Sequence, residues 1–436
     1  MLKRILAGTA VSLLIAAVVF AGLVRPWQRP EPVGDVVPGG LTLPWMWQAT
    51  VQMDPPGPVS VLVGGDTLGF QGSDVFDSEG KIAAVGRGGS YRTLLYGGKN
   101  SVMAGEDVLL SPDGRRAAQE YLIGSTASRT GLDIVDLTTG RSTVHRGGLP
   151  EGRCCVPVAW APDGRSMLVE VYDDHPEDGD ATIRPAMLDL DSDRVTVLGG
   201  SHPAWENLRT ASRGAFAPDG QRIVLTEAGT VRLVDRTGRV IWSTELPQNR
   251  YLAGPGAFSP DGQRIAIADL DGCLADCDRD ALAARRWSVS YLDAATGRPA
   301  TGPALATVTG SAVRALGWSQ DRDLVVLRHQ PEHDAYRAAD NTYWNDTGWE
   351  ETGHITLLGL EPGGGIRTLL DPPDGVLTMD VARDLLEAGR FGGSTPRATA
   401  FPARDIIAVV LVPLTVLVAA AGIVMLVVRA VRRRRV

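Results

Sequence analysis

The tetrapeptide Ser259-Pro260-Asp261-Gly262 recurs along the chain and decides the fold. The other copies, the last of them degenerate, are Ser111-Pro112-Asp113-Gly114, Ala161-Pro162-Asp163-Gly164, Ala217-Pro218-Asp219-Gly220 and Ser319-Gln320-Asp321-Arg322. The pattern suits a type I turn, because proline presets φ at the second position and glycine accepts a positive φ at the fourth. A bulky apolar residue precedes each copy and a β-rich run follows it, so each copy predicts the tip of a β-hairpin.

A second turn follows each hairpin and completes a four-stranded unit. It carries aspartate with glycine or a further aspartate and occurs at residues 136–141, 189–194, 235–239 and 293–298. Repeats of roughly 40 to 60 residues with several short strands each indicate a β-propeller. The predicted fold class is therefore all-β, a six-bladed β-propeller over residues 59–381 with strands a to d in each blade. Complete blades are predicted to begin near Asp107, Val156, Gly214, Gly256 and Val313.

The first blade lacks a strand a. Residues 59–63, 81–85 and 91–96 supply its strands b, c and d, and no strand a precedes them. Residues 376–381, in contrast, follow the last blade without a partner. We predict that they form the missing strand, so that the ring closes by joining the N- and C-terminal strands and leaves no open sheet edge around the ring.

Two apolar runs flank the propeller, at residues 5–24 and 406–428. Each is close to the roughly 20 residues that span a bilayer. The sequence predicts an N-terminal transmembrane anchor over 1–25, linkers over 26–58 and 382–405, a transmembrane helix over 406–428 and a basic tail over 429–436. Basic residues stay on the cytoplasmic side, which places both termini inside and the propeller outside. Cleavage of the first run as a signal peptide, after Ala21, is the alternative.

The charge distribution argues against nucleic acid as a partner. The formal net charge is −8, and eight of the basic residues flank the two apolar runs, so the region between the runs is more acidic still. Binding to a polyanion needs clustered positive charge, which the propeller sequence lacks.

The connections between strands divide into two sets. The a-to-b and c-to-d turns are uniformly short and share one side of the disc, the tight-turn face. The b-to-c and d-to-a connections share the other side, the long-loop face, and include the insertions at 145–155, 172–185, 199–213, 269–287 and 328–354. Long loops on a rigid scaffold commonly carry binding residues. We expect the tight-turn face to lie towards the bilayer, because both linkers leave from it.

The longest insertion is the candidate binding loop. Its candidate residues are His329, His333, Tyr336, Tyr343, Trp344 and Trp349. An aromatic, acidic recognition loop is one interpretation, and aromatic side chains that pin the loop to the surface are the other. A metal site is disfavoured, because histidines four residues apart share an ion only on a helix and Pro331 lies between them.

The cysteines and the acidic loop offer further candidates. Cys273 and Cys277 are predicted to form a local disulfide, whereas Cys154 and Cys155 form either a vicinal disulfide or free thiols. The loop that holds Cys273 also carries Asp269, Asp271, Asp276, Asp278 and Asp280. Calcium is conceivable there, but Leu274 stands where a calcium loop needs glycine, so a solvated acidic loop is the preferred interpretation. No cofactor is expected.

The strand-a segments predict an axial channel without a catalytic ring. Apart from Arg314, those of the full blades carry apolar and small residues, whereas propeller lactonases and lyases place carboxylates, asparagine or histidine around the channel.

The repeated turn, the β-rich run after it and the aspartate-containing second turn resemble those of TolB-like six-bladed propellers over residues 59–381. That resemblance implies a protein-binding scaffold more than an enzyme. The flanking apolar runs look more like the membrane-tethered TolB-like proteins of high-GC Gram-positive bacteria. The expected function is a membrane-tethered, extracytoplasmic, non-catalytic scaffold for a protein or envelope ligand. The alternative is an envelope hydrolase or lactonase that uses the acidic loops.

Overall fold

The structure of the chain is a computed structural model. It describes residues 34–44, 48–65, 81–94, 103–123, 128–150, 153–173, 182–203, 212–227, 229–274, 277–331 and 352–396, together with 414, 417, 421, 422 and 425.

Six antiparallel sheets, the blades of the propeller, make up the described chain. Blade 1 receives β1 (Val59–Gly65), β2 (Lys81–Gly86) and β3 (Tyr91–Thr93). Blade 2 is β4 (Val108–Leu110), β5 (Arg116–Ile123), β6 (Ser128–Asp136) and β7 (Ser142–His145). Blade 3 is β8 (Val156–Trp160), β9 (Ser166–Tyr172), β10 (Thr182–Asp189) and β11 (Arg194–Val197), with β12 (His202–Pro203) also paired to β10.

The remaining blades repeat the same order of strands. Blade 4 is β13 (Gly214–Phe216), β14 (Arg222–Glu227), β15 (Thr230–Asp235) and β16 (Val240–Glu245). Blade 5 is β17 (Arg250–Leu252), β18 (Arg264–Asp271), β19 (Arg286–Asp293) and β20 (Pro299–Ala300), with β21 (Val308–Thr309) also on β19 and helix α1 (Arg279–Ala283) before it. Blade 6 is β22 (Ala312–Ser319), β23 (Asp323–Pro331), β24 (Thr352–Glu361) and β25 (Gly365–Leu370).

The ring closes as the sequence predicts. Strand β26 (Val376–Val381) pairs antiparallel with β1, with Asp380 opposite Leu62 and Met379 opposite Val63. Blade 1 therefore takes its innermost strand from the C-terminal end and its other strands from the N-terminal end. The six-bladed propeller with joined terminal strands is confirmed.

The recurring turn is the tip of the first hairpin in its four regular copies. The glycine at its fourth position has φ between 66° and 69° in each of them, and the amide of Gly262 donates to the carbonyl of Ser259 at 2.8 Å. Asp261 accepts hydrogen bonds from the Ser259 hydroxyl and the Gln263 amide at 2.6 and 3.0 Å. In the degenerate copy the positive φ moves to Gln320 and Asp321, at 50° and 55°, so no glycine is needed there.

The bulky residue before each turn packs on the preceding blade. Trp160 lies in an apolar cluster with Leu109 and Ala118 of blade 2, and Trp318 lies in one with Ala266 of blade 5. Phe216 and Phe258 contact their preceding blades in the same way. Burial of these large apolar side chains between sheets stabilises the contacts between blades.

The fifth blade departs from its predicted start. Strand a was expected at Gly256 and instead is β17 (Arg250–Leu252), followed by a single bridge from Phe258 to Ile265. The intervening backbone turns aside to blade 6, because the Gly256 amide donates to the Ala315 carbonyl at 3.0 Å. A Cβ on Gly256 would lie 2.2 Å from the backbone nitrogen of Gly317, so glycine is required at this approach.

The segments expected to be linkers pack on the propeller wherever they are described. Val37 and Leu41 are buried in the cluster that holds blade 1, and the Gly39 amide donates to the Gly393 carbonyl at 2.7 Å. Helix α2 (Arg383–Glu387) follows β26, and its Leu386 packs against Gly317 of blade 6. The described parts of both flanking segments are thus fastened to the propeller.

The two predicted membrane spans lie outside the described residues, except for five single positions of the second. Among the helices that the structure describes, none is long and apolar enough to cross a membrane.

Candidate functional site

Only one of the predicted binding-loop residues lies in the described part of the chain. Strand β23 continues to Pro331, so His329 is a strand residue rather than a loop residue, and its side chain is fully buried. The other five candidates, His333, Tyr336, Tyr343, Trp344 and Trp349, lie outside the described residues.

The cysteines form two disulfides, Cys273–Cys277 and Cys154–Cys155. The first pairing agrees with the sequence prediction, and the second takes the vicinal alternative that the sequence left open. The Cys273–Cys277 loop is anchored by Arg285, which is fully buried and donates to the carbonyls of Cys273 and Ser311 at 2.8 and 3.1 Å. Both disulfides lie on the long-loop face.

The acidic residues of that loop serve the fold. Asp269 pairs with Arg250, and Asp278 caps helix α1 by accepting a hydrogen bond from the Ala281 amide at 2.7 Å. Asp271 and Asp280 are solvent-exposed, and Asp276 lies outside the described residues. No group of three or more metal-ligating side chains occurs among the residues that the structure describes.

The propeller axis carries a charged cluster that the sequence analysis missed. Asp380 comes from the closing strand β26, and Glu106 from the connection that leads into blade 2. Arg314 of β22 contacts that connection twice: its guanidinium lies 3.3 Å from Glu106 and donates to the Gly105 carbonyl. The side chains of Arg314 and Glu106 are only 6% and 5% exposed. The expectation of an axis that is apolar apart from Arg314 is therefore wrong.

The pKa of Asp380 is raised by desolvation to about 6. The nearby Arg314 guanidinium and hydrogen bonds from the Leu110 and Val381 amides, at 2.8 and 2.9 Å, oppose that rise, whereas Glu106 adds to it. A carboxyl group that titrates near pH 6 can exchange a proton under physiological conditions, which is a property of many acid–base sites.

His329 joins this cluster from blade 6, with its Nε2 atom 3.9 Å from Glu106. Two carboxylates, an arginine and a histidine thus meet where blades 1, 2 and 6 approach the axis. The guanidinium between the carboxylates opposes a divalent cation, since like charges repel strongly where water is excluded. Arg314 and Glu106 thus form a buried ion pair at the axis, with Asp380 and His329 beside it.

A second buried carboxylate lies on the long-loop face between blades 3 and 4. Glu170, at 1% exposure, pairs with Arg213 and lies 3.8 Å from His202. Glu227 pairs in a similar way with Arg232 at 2.8 Å. Both carboxylates lie near the ends of strands b; Glu170 holds the d-to-a connection through Arg213, whereas Glu227 pairs with the neighbouring strand of its own blade. The sequence signal was available, because Glu120, Glu170 and Glu227 each lie six or seven residues after the turn glycine.

Comparison with solved structures gives propellers. The chain is similar to TolB from Acinetobacter baumannii at 15% identity and TM-score 0.33, over 61% of this chain and 52% of that one. It is similar to an oligogalacturonate lyase from Vibrio parahaemolyticus at 12% identity and TM-score 0.39, over 76% and 78%. It is also similar to a protein of unknown function from Bacteroides caccae at 15% identity and TM-score 0.38, over 74% and 98%.

These similarities concern the fold alone. The chain spans about half the length of the Acinetobacter baumannii TolB. No protein-family model matches the sequence, and no curated protein matches it significantly.

Proposed function

We propose that this chain is a membrane-tethered, extracytoplasmic propeller that binds a protein or an envelope ligand through its long-loop face, without catalysis of its own. The observation that carries the proposal is the burial of the charged cluster at the axis. The Arg314–Glu106 pair is buried and internally neutralised, so these groups are not presented to a substrate in solution. What the scaffold offers to a ligand is then its loops.

The difference between the two faces supports this proposal. On the tight-turn face the chain reverses within a few residues, as at Ser259–Gly262. On the long-loop face the b-to-c connection of blade 6 extends from Pro331 to Thr352 and contains two tyrosines and two tryptophans. Aromatic side chains are enriched among the residues that dominate protein interfaces.

Two further observations support an extracytoplasmic, membrane-tethered location. Both pairs of cysteines are oxidised, and structural disulfides persist in compartments outside the cytoplasm. The apolar runs at 5–24 and 406–428 are flanked by basic residues, which favours two spans with cytoplasmic ends.

A photocrosslinking experiment tests the binding face. A photoreactive residue is placed at Tyr343 or Trp344 of the full chain, and at Thr237, an exposed residue of a tight turn, as the matched control. We expect one dominant protein adduct in intact cells from the loop positions and not from Thr237. Identical adducts from all positions, or none from the loop, would count against the proposal.

The alternative, a hydrolase or lactonase, has one observation in its favour. Asp380, with its pKa near 6, lies in one cluster with Glu106 and His329, and such sets of groups can act in acid–base catalysis. Hydrolysis of an ester or lactone substrate by the purified chain, lost on Asp380→Asn in a variant that stays folded, would favour this alternative over the scaffold.

A further inference from the structure

Arginines close the blade interfaces on the tight-turn face. Arg116, two residues after the turn glycine of blade 2, donates from Nη2 to the carbonyl of Gly164 in blade 3 at 2.6 Å. Its guanidinium also lies 5.1 Å from the ring centre of Trp160. Arg222 of blade 4 occupies the same place in its repeat and donates to the Gly262 carbonyl of blade 5 at 3.2 Å.

At the interface between blades 3 and 4, an arginine from a different repeat position bridges the two blades. Blade 3 has Ser166 at the repeat position of Arg116, and Arg236 from the c-to-d turn of blade 4 takes over. Arg236 donates to the Ser166 hydroxyl and, at 3.4 Å, to the Gly220 carbonyl. It also lies 3.9 Å from Asp163. A guanidinium therefore occupies all three of these interfaces.

Among the described residues, no guanidinium bridges blades 5 and 6 in this way. Arg264 stands at the repeat position of Arg116 but donates from Nε to the Thr301 carbonyl of its own blade at 3.0 Å. Pro362 stands at the repeat position of Arg236, and the blade 6 turn has Arg322 in place of glycine. A cleft of about 400 Å³ opens at this interface.

Aromatic side chains form the inner part of the cleft. Tyr291 and Trp318 line it, and both are buried. The Trp318 Nε1 atom finds no acceptor among the described residues, whereas the equivalent atom of Trp160 donates to the Leu109 carbonyl at 3.3 Å. Trp318 still packs on blade 5, but among the described residues this interface lacks both the bridging guanidinium and the hydrogen bond from the indole.

One carboxylate of the cleft has no charged partner among the described residues. Arg322 donates two hydrogen bonds to Asp323, at 2.7 and 3.1 Å, and Arg264 is held by Thr301. Asp261 lies 3.6 Å from Arg264. Asp321 is exposed at the rim and forms no ion pair with any residue in the described ranges. Two aspartates and two arginines line the cleft, and Asp321 is the lining carboxylate that remains available to a cationic group.

We propose that this cleft binds a guanidinium group, presented as an arginine side chain by a partner protein. The incoming group would occupy the place that the chain's own arginines occupy at the three preceding interfaces. Asp261 and Asp321 would accept its hydrogen bonds, and the planar guanidinium would lie against the aromatic inner wall. This site lies on the tight-turn face and is additional to the proposed binding face.

The test uses three capped tripeptides and the full chain purified in detergent. Gly-Arg-Gly carries the guanidinium, Gly-citrulline-Gly is its neutral isostere, and Gly-Lys-Gly carries a charge without the planar group. Titrations followed by saturation-transfer NMR should show the arginine peptide binding at least about tenfold more tightly than the citrulline peptide. Asp321→Asn should weaken binding of the arginine peptide by a similar factor.

Pro362→Arg is the decisive variant. It gives blade 6 the arginine that blade 4 has at this position, so the chain's own guanidinium should fill the cleft, abolish peptide binding and raise Tm. Asp163→Asn, at the closed interface between blades 3 and 4, is the matched control and should bind the arginine peptide as the wild type does.

Three results would overturn the proposal: no measurable binding of the arginine peptide to the wild type, equal binding of the citrulline peptide, or undiminished binding by folded Pro362→Arg. Crosslinking from Tyr343 or Trp344 does not involve this cleft, so the proposed function and this site fail separately.

Discussion

Single residues determine the properties of the propeller axis. Arg314 joins blade 6 to the connection before blade 2, and Asp380 joins the closing strand to Leu110 of blade 2. Each contact links segments that are more than 200 residues apart in the chain. Ionised groups in such a place cost free energy through desolvation and recover it only when they are paired.

The raised pKa of Asp380 predicts a defined pH dependence of stability. The folded state binds the Asp380 proton more tightly than the unfolded state, whose pKa is 3.8, so this group makes the protein less stable as pH rises from 3.8 to about 6. The cost at neutral pH is at most about 3 kcal/mol. Denaturant unfolding of Asp380→Asn should show a smaller loss of stability between pH 4 and 6 than the wild type does.

The matched control for this measurement is Asp321→Asn, which removes an exposed carboxylate and should retain the wild-type slope. Equal slopes for the wild type and Asp380→Asn would show that Asp380 has an ordinary pKa in the folded protein.

The close approach of Gly256 to blade 6 predicts that an alanine at this position will clash with the backbone. Gly256→Ala would place a methyl group 2.2 Å from the Gly317 nitrogen and 2.3 Å from the Leu316 carbonyl carbon, both of them backbone atoms that cannot rotate away. We expect a loss of about 3 kcal/mol or more in the free energy of unfolding. Gly88→Ala, where nothing lies within 4 Å of the added atom, should change stability by less than about 1 kcal/mol in the same denaturant series. Similar values for the two variants would contradict the close approach between blades 5 and 6.

At the scale of the elements, the local signals were sufficient for the hairpins and for the closing strand. Strand β26 has the predicted bounds, because a β-rich run without a local partner can pair only with the one blade that lacks a strand. The start of blade 5 was placed wrongly at Gly256, because its backbone there bonds to the next blade instead of its own. Sequence patterns report pairing within a blade and not between blades.

The candidate site was less predictable for a related reason. Glu106 lies in a connection, and its partner Arg314 follows it by 208 residues, so no local spacing links them. The missing contact between blades 5 and 6 was visible in principle, since Pro362 and Arg322 break the repeat. That this break removes a contact between blades became clear only from the structure, in which Arg116, Arg222 and Arg236 bridge the neighbouring interfaces.

The closing strand predicts a strong effect of truncation. A chain that ends at residue 375 loses β26 and helix α2. This exposes the pairing edge of β1 and the apolar cluster of blade 1 that Leu385 and Leu386 cover in the full chain. We expect the truncated chain to lose its cooperative thermal transition. A chain that ends at residue 397 lacks the second apolar run but keeps β26 and α2, and it should melt within a few degrees of the full chain. A cooperative transition in the shorter chain would show that blade 1 folds without its fourth strand.

At the scale of the whole molecule, the disc presents two faces with different chemistry. The tight-turn face consists of aspartate-capped turns and arginine contacts between blades, with one cleft between blades 5 and 6. The long-loop face carries both disulfides and the strand ends at Pro331 and Thr352, between which the candidate binding loop runs in the sequence. Strand β26 runs towards the tight-turn face, and β1 starts from it, so both ends of the ring leave on that side.

This polarity predicts which face a membrane-impermeant maleimide reaches in intact cells. Single cysteines are introduced at Asp374, on the exposed long-loop side, at Thr237, in a tight turn, and at Val436, the C-terminal residue. The four native cysteines are held in disulfides, so the wild type should remain unlabelled and serves as the background.

If the tight-turn face lies against the bilayer, position 374 reacts fast and position 237 slowly, while detergent makes their rates equal. If the proposed topology holds, position 436 should react only after the membrane is permeabilised, because basic flanks favour the cytoplasmic side. Equal rates at 237 and 374 in intact cells would reject the proposed orientation of the disc, and labelling at 436 would reject the cytoplasmic C-terminus.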